Sequence, residues 1–466
     1  MSYLKTKELS KLGYTNDIAR SLAMNILSKH FKHDSKEVWI QLLTDLKNNP
    51  EAYVNHETLG PVAATFIPEE KTCTYQCFEL LQQTGQLKIY GGKEIEHAAK
   101  KQMETAMSLP ITVQGALMPD AHTGYGLPIG GVLAARNAVI PYAIGVDIGC
   151  RMALSILDEG EHFLKSHSYQ MKQALREYTH FGMEGGLAYK QEHEMLDSPL
   201  FNTTAFLKRL QPKAARQLGS SGGGNHFVEF GLIELKEDNV LGLPAKKYIA
   251  LLSHSGSRGL GAAIAQHYMR IAMDSCKLPR EAQQLAWLDL DTEAGQEYWL
   301  SMNLAGDYAR ACHDRIHDNV LQATGLKAIA KVENHHNFAW KDVLEDGSEV
   351  IVHRKGATPA HAGELGIIPG SMTTPAYLVS GKGAAPALHS AAHGAGRAMS
   401  RRLAKESMTA SAMKKLLADA GVTLIGGSVE ENPFAYKDIE RVIAAQNDLV
   451  EIQGKFFPKI VRMNKE

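Results

Sequence analysis

The run YIALLSHSGSRGLG, residues 248–261, joins a short apolar segment to a loop rich in glycine and polar side chains. The apolar segment predicts a buried strand. A strand that ends in such a loop is a common way to present functional side chains from a rigid scaffold. Similar blocks rich in glycine and polar residues recur in MPDAHTGYGLPIGG (118–131), AIGVDIGCRM (143–152), LGSSGGGNHFVEF (218–230), NHHNF (334–338), HRKGATPAHAGELGIIPGSM (353–372) and HGAGR (393–397).

The first part of the chain has a different pattern. Ile18, Leu22 and Ile26 recur at helical spacing, which predicts helices over residues 1–85. This segment contains no chemical motif, so we interpret it as a helical N-terminal extension. The glycine-rich blocks follow it, which predicts one catalytic domain over residues 86–466. Within that domain, residues 400–421 predict a helix that ends at Gly421.

The composition excludes several classes of protein. The 466 residues carry 50 Lys and Arg against 51 Asp and Glu, which argues against a nonspecific nucleic-acid coat or a membrane-surface protein. No secretory signal is visible and no apolar run is long enough to span a membrane. The 5 cysteines are scattered, which is untypical of a disulfide framework and indicates a reducing cytoplasm.

Five residues with metal-ligand chemistry lie in the glycine-rich blocks: Asp147, Cys150, His226, His254 and His336. Any one of them alone is more typical of a packed core. Together they include two residues three apart in the chain, which can face one ion, and three histidines at the predicted ends of strands. Five donors exceed a four-ligand structural site, and two ions that share the thiolate are an economical alternative. By ligand type alone, thiolate and imidazole favour zinc.

A second cysteine pair, Cys73 and Cys77, lies in a segment with helical character and without histidines at zinc-finger spacing. We interpret it as helix packing.

Three glycine-rich loops predict anion binding: SSGGGNHF (220–227), IIPGSM (367–372) and HGAGR (393–397). Their backbone N–H groups suit a phosphate nest. Arg258, Arg354, Lys355 and Arg397 add positive charge nearby in sequence, and arginine grips phosphate with two hydrogen bonds. No P-loop motif is present, nor is the K-x-D-G setting of lysine-nucleotidylated ligases. His393 stays open as core filler, metal ligand, proton shuttle or nucleophile.

The blocks DIGCRM, GGGNHFVE, SHSGSRGLG, HHNFA, HRKGATPA, IPGSM and HGAGRAMSR, in this order, resemble the RtcB family of RNA-splicing ligases. The resemblance runs from about residue 90 to the C-terminus. It implies a mixed α/β (α+β) fold, with a single large catalytic domain and a deep metal- and nucleotide-binding cleft. It also implies a ligase that joins RNA 3′-phosphate or 2′,3′-cyclic phosphate ends to 5′-hydroxyl ends, with GTP and Mn²⁺.

The resemblance also implies roles for individual residues. Asp147, Cys150 and His226 would bind one Mn²⁺, and Cys150, His254 and His336 a second, with Cys150 bridging. His393 would accept GMP from GTP, and Asp147 could also orient its ring. The implied GMP-binding residues are Asn225, His226, Phe227, Val228, Glu229, His336, Asn337, Pro369, Gly370, Ser371, Met372, His393, Gly394, Ala395, Gly396 and Lys465.

The charges of Arg354 and Lys355 suggest contacts with RNA phosphates. The expected partners are RNA, from broken tRNA or other RNA ends, GTP and an archease-like activator, in the cytoplasm and without a membrane.

Two positions depart from the family pattern. Ala376 stands where many members have serine, and the chain ends Lys465-Glu466 where many end Lys-Gly.

Two other hypotheses use the same residues. A binuclear metal hydrolase such as a phosphodiesterase would need the metal ligands but no nucleotide and no covalent histidine. A noncatalytic RNA-binding or scaffold protein would need neither the metal ligands nor the histidine. The three glycine loops favour the ligase over the hydrolase, and the complete ligand set argues against the scaffold.

Overall fold

The structure is a computed structural model that describes residues 4–32, 34–54, 56–67, 75–82, 85–182 and 191–465. Two compact units divide between Thr74 and Tyr75. The division precedes the expected boundary at residues 85–86, because the strand Gln76–Cys77 pairs with the strand Cys276–Lys277 of the second unit. Residue 73 of the Cys73–Cys77 pair lies outside the described residues. Cys77 is exposed on a strand, not in the predicted helix.

The first unit is helical in its described part. Its helices are α1 (Thr6–Lys11), α2 (Asp17–His30), α3 (Lys36–Asn48), α4 (Pro50–Tyr53) and α5 (Gly60–Ala63). Leu22 and Ile26, named from the sequence pattern, are partly buried against the core of this unit. Ile18 is exposed, whereas Ala19, Ala23 and Leu27 of α2 pack against Trp39 and other core residues.

The second unit mixes strands and helices, which confirms the predicted fold class. Its strands, with the pair above as β1 and β9, are β1 (Gln76–Cys77), β2 (Gln86–Ile89), β3 (Thr112–His122), β4 (Ile129–Ala135), β5 (Ala138–Val139), β6 (Arg151–Leu157), β7 (Phe227–Leu235), β8 (Lys247–Ser255), β9 (Cys276–Lys277), β10 (Leu288–Asp289), β11 (Ala328–His335), β12 (Asn337–Val343), β13 (Glu349–Lys355), β14 (Ala357–Pro359), β15 (Leu365–Ile368), β16 (Ala376–Gly381), β17 (Ser390–Ala392), β18 (Thr423–Ile425) and β19 (Val450–Met463).

The helices of this unit pack around the strands. They are α6 (His97–Met107), α7 (Pro141–Ile144), α8 (Glu161–Ser166), α9 (Ser168–Tyr178), α10 (Ala205–Gln217), α11 (Arg258–Ser275), α12 (Glu293–Thr324), α13 (Arg401–Ser407), α14 (Ala410–Asp419) and α15 (Ile439–Ala444). The predicted helix over 400–421 is therefore two helices. Met408 is extended between them, and the side chain of Thr409 caps the second helix by accepting from the Ala412 N–H.

Two sheets carry the residues of interest. The larger one has eight strands in the order β11-β6-β8-β7-β19-β16-β15, with β18 beside β19. The smaller one has five strands in the order β12-β13-β4-β3-β2. Both faces of the larger sheet are buried. In β8, Ile249 and Leu251 join one apolar cluster, while Tyr248, Ala250 and Leu252 join another. This period of two confirms the strand predicted from YIALLS.

No helix in the described ranges is long and apolar enough to cross a membrane.

Candidate active site

The five predicted metal ligands meet at one end of the larger sheet. Cys150 directly precedes β6 and His226 directly precedes β7, while His254 lies near the end of β8 and His336 directly follows β11. The strands β6, β8 and β7 are antiparallel neighbours, and β11 is antiparallel to β6. The starts of β6 and β7 therefore lie beside the ends of β8 and β11. Residues far apart in the chain come together for this reason.

The ligand atoms form two groups that share one sulfur. Asp147, Cys150 and His226 form one group and Cys150, His254 and His336 the other, with the atoms of each group within 4.8 Å of one another. The Cys150 Sγ lies 3.5 Å from His226 Nε2 and 3.2 Å from His254 Nε2. Asp147 Oδ2 lies 3.0 Å from His226 Nε2.

Burial sets the ionisation of these groups. Burial lowers the pKa of His254 to about 3 and that of His336 well below its usual value, so both rings are neutral near pH 7. Burial, and then the Asp147 charge, raise the pKa of the Cys150 thiol. For Asp147, burial raises the pKa, but the hydrogen bond and charge of His226, together with Cys150 and His254, lower it by more, so the net shift is downward.

The spacing and the lone pairs of these donor atoms suit bound cations. The Nε2 atoms of His254 and His336 face each other at 3.3 Å. Two nitrogens bound to one tetrahedral ion at about 2.1 Å lie about 3.4 Å apart. His254 Nδ1 donates to the Asn225 carbonyl at 3.1 Å, which leaves its Nε2 with a lone pair for a metal. One thiolate, one carboxylate and three imidazoles are therefore arranged as two ligand groups around a shared sulfur.

Two glycines allow this crowding. A Cβ on Gly256 would lie 1.9 Å from Asp147 Oδ1, and a Cβ on Gly222 would lie 2.3 Å from His226 Nδ1. Any side chain at either position would displace a ligand.

His393 lies beside the second ligand group, with its ring centre 5.0 Å from that of His336. Its Nδ1 contacts Asp120 Oδ2 at 2.6 Å, and its backbone N–H donates to the same oxygen at 3.2 Å. Because a carboxylate only accepts, Nδ1 carries the proton and Nε2 carries the lone pair. The orienting carboxylate is thus Asp120, which is fully buried, and not Asp147 as the sequence suggested. The sequence reasoning missed Asp120, although the block MPDAHTGYGLPIGG contains it.

One cavity of about 740 Å³ joins these features. The metal ligands and His393 line it. Of the other expected nucleotide-binding residues, those that line it are Asn225, Phe227, Glu229, Asn337, Pro369, Gly370, Ser371, Met372, Gly394, Ala395 and Gly396. Val228 is fully buried in an apolar cluster, and Lys465 is exposed; neither lines this cavity. Ala376 does line it.

The two residues expected at RNA phosphates have different surroundings. Arg354 is fully buried, donates to Ser390 Oγ at 2.7 Å and to the Leu388 carbonyl at 2.9 Å, and stacks over Trp340. It stabilises the core, and the expected contact with RNA is not available to it. Lys355 lines the cavity and donates to the Tyr142 carbonyl at 3.1 Å. Burial lowers the pKa of Lys355 to about 7.

Glu229 is an acid in the cavity outside both ligand groups. It lies in β7 and is almost fully buried. Burial raises its pKa to about 8. A buried carboxyl of this kind is costly unless a ligand supplies hydrogen-bond donors to it.

Comparison with known proteins agrees with this geometry. The profile of the family described as tRNA-splicing ligase RtcB matches residues 102–207 and 163–463. RNA-splicing ligase RtcB1 of Escherichia coli is 32% identical over 396 residues, covering 78% of this chain and 93% of the relative. RNA-splicing ligase RtcB of Mycobacterium tuberculosis is 30% identical over 412 residues (74% and 95%). tRNA-splicing ligase RtcB of Nanoarchaeum equitans is 28% identical over 452 residues (80% and 94%).

Proposed function

The chain belongs to the tRNA-splicing ligase RtcB family, and on that basis we propose how this RNA ligase works. It joins an RNA 3′-phosphate or 2′,3′-cyclic phosphate end to a 5′-hydroxyl end, with GTP as co-substrate, through GMP carried on His393. The observation that carries the proposal is the Asp120–His393 hydrogen bond, which leaves a nucleophilic Nε2 in a cavity beside the metal donors.

Two Mn²⁺ ions are the proposed cofactors. Asp147, Cys150 and His226 would hold one, and Cys150, His254 and His336 the other. Bound there, the ions would neutralise the negative charge of phosphate groups during transfer. The donor set is also suited to zinc, so the identity of the ion is part of the proposal.

The histidine performs the first transfer. The His393 Nε2 lone pair attacks the α-phosphorus of GTP; the new P–N bond forms as the bond to pyrophosphate breaks. Asp120 keeps the proton on Nδ1 and stabilises the positive charge that the ring gains. The loop after His393 lines the cavity, and its glycines carry no side chain that would keep a phosphate away from the backbone there.

The RNA steps follow. Water opens a 2′,3′-cyclic phosphate to the 3′-phosphate. An oxygen of that phosphate attacks the phosphorus of the GMP, and the P–N bond to His393 breaks. The 5′-hydroxyl of the second RNA then attacks the activated 3′-phosphate and expels GMP, which forms the phosphodiester.

Glu229 is our candidate for guanine selection. Guanine presents two neighbouring donors, N1–H and N2–H, which a carboxylate can accept together; adenine lacks this pair. The burial of Glu229 in the cavity supports the assignment. Lys355 stays a candidate for phosphate contact and Lys465 for nucleotide contact.

The partners follow from the reaction. RNA with broken ends and GTP are the substrates, and an archease-like activator is a proposed protein partner. We also place the enzyme in a reducing cytoplasm, because Cys150 must be a thiolate to bridge two ions; the described cysteines, Cys77, Cys150, Cys276 and Cys312, are free thiols.

Labelling with GTP tests the proposal. Protein is incubated with Mn²⁺ and α-phosphate-labelled GTP or ATP, denatured, and examined for label that acid releases, as a phosphoramidate should. We expect label from GTP alone, none in His393→Ala, and full label in His97→Ala, an exposed histidine that matches it as a control.

The outcomes separate the alternatives. Full label in His393→Ala would move the nucleophile elsewhere. No label with either nucleotide in metal-loaded protein, even with an archease, would favour the hydrolase. When label forms, joining of a 3′-phosphate RNA to a 5′-hydroxyl RNA completes the test.

A further inference from the structure

A second cluster of metal-ligand side chains lies away from the cavity, and we propose that it binds a transition-metal ion of the Zn²⁺ class. It consists of Asp342, His361 and His389, whose ligand atoms lie within 4.8 Å of one another. None of the three lines the catalytic cavity. The proposal is independent of the ligase reaction.

Three separate segments bring the cluster together. Asp342 is near the end of β12, whose first residue, Asn337, lines the cavity. His361 lies in the turn between β14 and β15, and His389 directly precedes β17. The cluster and His393 are thus at opposite ends of the three-residue strand β17.

The distances exclude hydrogen bonds from Asp342 to the two histidines and leave room for a shared ion. Asp342 Oδ2 lies 3.7 Å from His389 Nδ1 and 4.0 Å from His361 Nε2, both too long for a hydrogen bond. Ligand atoms on one tetrahedral Zn²⁺ lie about 3.4 Å apart. The two distances from the Asp342 oxygen exceed this value by about 0.3 and 0.6 Å, and the half-exposed His361 side chain can move to shorten its own.

His389 has a costly conformation and an unsatisfied ring nitrogen. Its Nδ1 is buried and has no hydrogen-bond partner. Its backbone φ is +49°, which L residues rarely adopt, and such conformations cluster at functional sites. Two backbone hydrogen bonds fix it there: its N–H donates to the Ala384 carbonyl at 3.1 Å, and its carbonyl accepts from Ala360 at 2.7 Å. An ion would satisfy the orphaned nitrogen.

The electrostatics suit a cation with nitrogen ligands. Imidazole binds a metal in its neutral form, which is the ordinary form of histidine near pH 7. Asp342 supplies one negative charge, and Glu364 fixes the turn by accepting from the His361 N–H at 3.1 Å. The nearby Arg354 guanidinium is held by Ser390 Oγ at 2.7 Å, the Leu388 carbonyl at 2.9 Å and the His389 carbonyl at 3.4 Å, so its donors are directed at the backbone of this turn and not at the ligand atoms. Two imidazoles and one carboxylate leave a coordination position for water.

Metal counting tests the proposal. Full-length protein is stripped with a chelator, dialysed against Zn²⁺, and analysed for zinc per chain. We expect His361→Ala and Asp342→Asn each to bind one equivalent less than the wild type, and His97→Ala to bind the wild-type number. Cys150→Ser, which alters the catalytic ligands, should keep the ion that His361→Ala removes, and the double variant should lose it.

Equal zinc content in the wild type, His361→Ala and Asp342→Asn would overturn the proposal. His361 has a half-exposed side chain, so its alanine variant should fold, which circular dichroism checks. Labelling by GTP in His361→Ala separates the two proposals. We expect it to persist, since the cluster does not line the catalytic cavity.

Discussion

The carboxylate of Asp120 offers the sharpest test of how His393 is prepared for attack. In Asp120→Asn, the amide oxygen must still accept from both Nδ1–H and the backbone N–H of His393, because an amide NH₂ in that position would oppose two donors. The tautomer is therefore kept and only the negative charge is lost. Asp120→Ala removes both the charge and the acceptor.

The two variants should differ in size of effect. A hydrogen bond to a charged group contributes about 1.5–3 kcal/mol, against about 0.5–1.5 kcal/mol for a neutral one. Loss of the charge alone, about 1–1.5 kcal/mol, slows GMP transfer to His393 about 5- to 12-fold. Loss of the whole interaction in Asp120→Ala slows it about 10- to 150-fold.

The assay is single-turnover labelling with α-phosphate-labelled GTP at saturating nucleotide. Metal content should stay at the wild-type level in both variants, since Asp120 belongs to neither ligand group. Asp274→Asn, an exposed aspartate, is the matched control. Wild-type labelling rates in both Asp120 variants, with folding intact, would refute the idea that this carboxylate orients the ring. A loss of metal would show that the effect does not act through His393.

Three other perturbations test the rest of the site. Cys150→Ser should lower the binding of both Mn²⁺ ions, and elemental analysis that finds only one of the two affected would contradict a shared sulfur. Gly256→Ala should reduce metal content, because its methyl would lie 1.9 Å from Asp147 Oδ1, whereas Gly160→Ala, which has room, should not. Because the raised pKa of Glu229 is about 8, its carboxyl is mostly protonated at pH 6.5 and ionises as pH rises. The Kd for GTP should then fall with pH up to about 8, by at most about tenfold per unit, and level off above it. Calorimetry that finds the same slope in Glu229→Gln would exclude this role.

That the five candidate ligands come together could be predicted from the sequence, because four of them stand at the border of a strand and a glycine-rich loop and the fifth, Asp147, lies in such a loop. Strand borders in one antiparallel sheet meet at common ends, so side chains such as His226 and His254 converge once the register is set. The register itself, with Phe227 opposite His254, is not visible in the sequence.

The faces of the elements were harder to predict. In α2, the fully buried positions are Ala19, Ala23 and Leu27, one residue after the apolar positions seen in the sequence, of which Leu22 and Ile26 are only partly buried and Ile18 is exposed. In β13, Arg354 and Lys355 are consecutive and point to opposite sides. Lys355 therefore reaches the cavity and Arg354 the core. Their charge alone led to the same prediction for both residues, a contact with RNA phosphates.

Asp120 was missed because it contacts a residue 273 positions away, on a different sheet from the metal ligands. It lies in β3, in a stretch where the pairing with β4 is irregular between Leu117 and His122. An irregular strand can turn a polar side chain away from the alternating pattern. The sequence gives no sign of where that side chain will point.

The glycines after His393 also make the contact between His393 and Asp120 possible. A Cβ on Gly396, where φ is +73°, would lie 2.0 Å from the Asp120 carbonyl oxygen, so the loop packs directly on β3. A Cβ on Gly394 would lie 3.3 Å from the Pro369 carbonyl, which accepts from the Ala395 N–H at 2.9 Å. The sequence suggested that these glycines make room for phosphate. In the structure they first allow the backbone approach that places His393 against Asp120, since a larger residue at 396 would separate His393 from the carboxylate that orients its ring. Access for phosphate and orientation of the ring therefore depend on the same short loop.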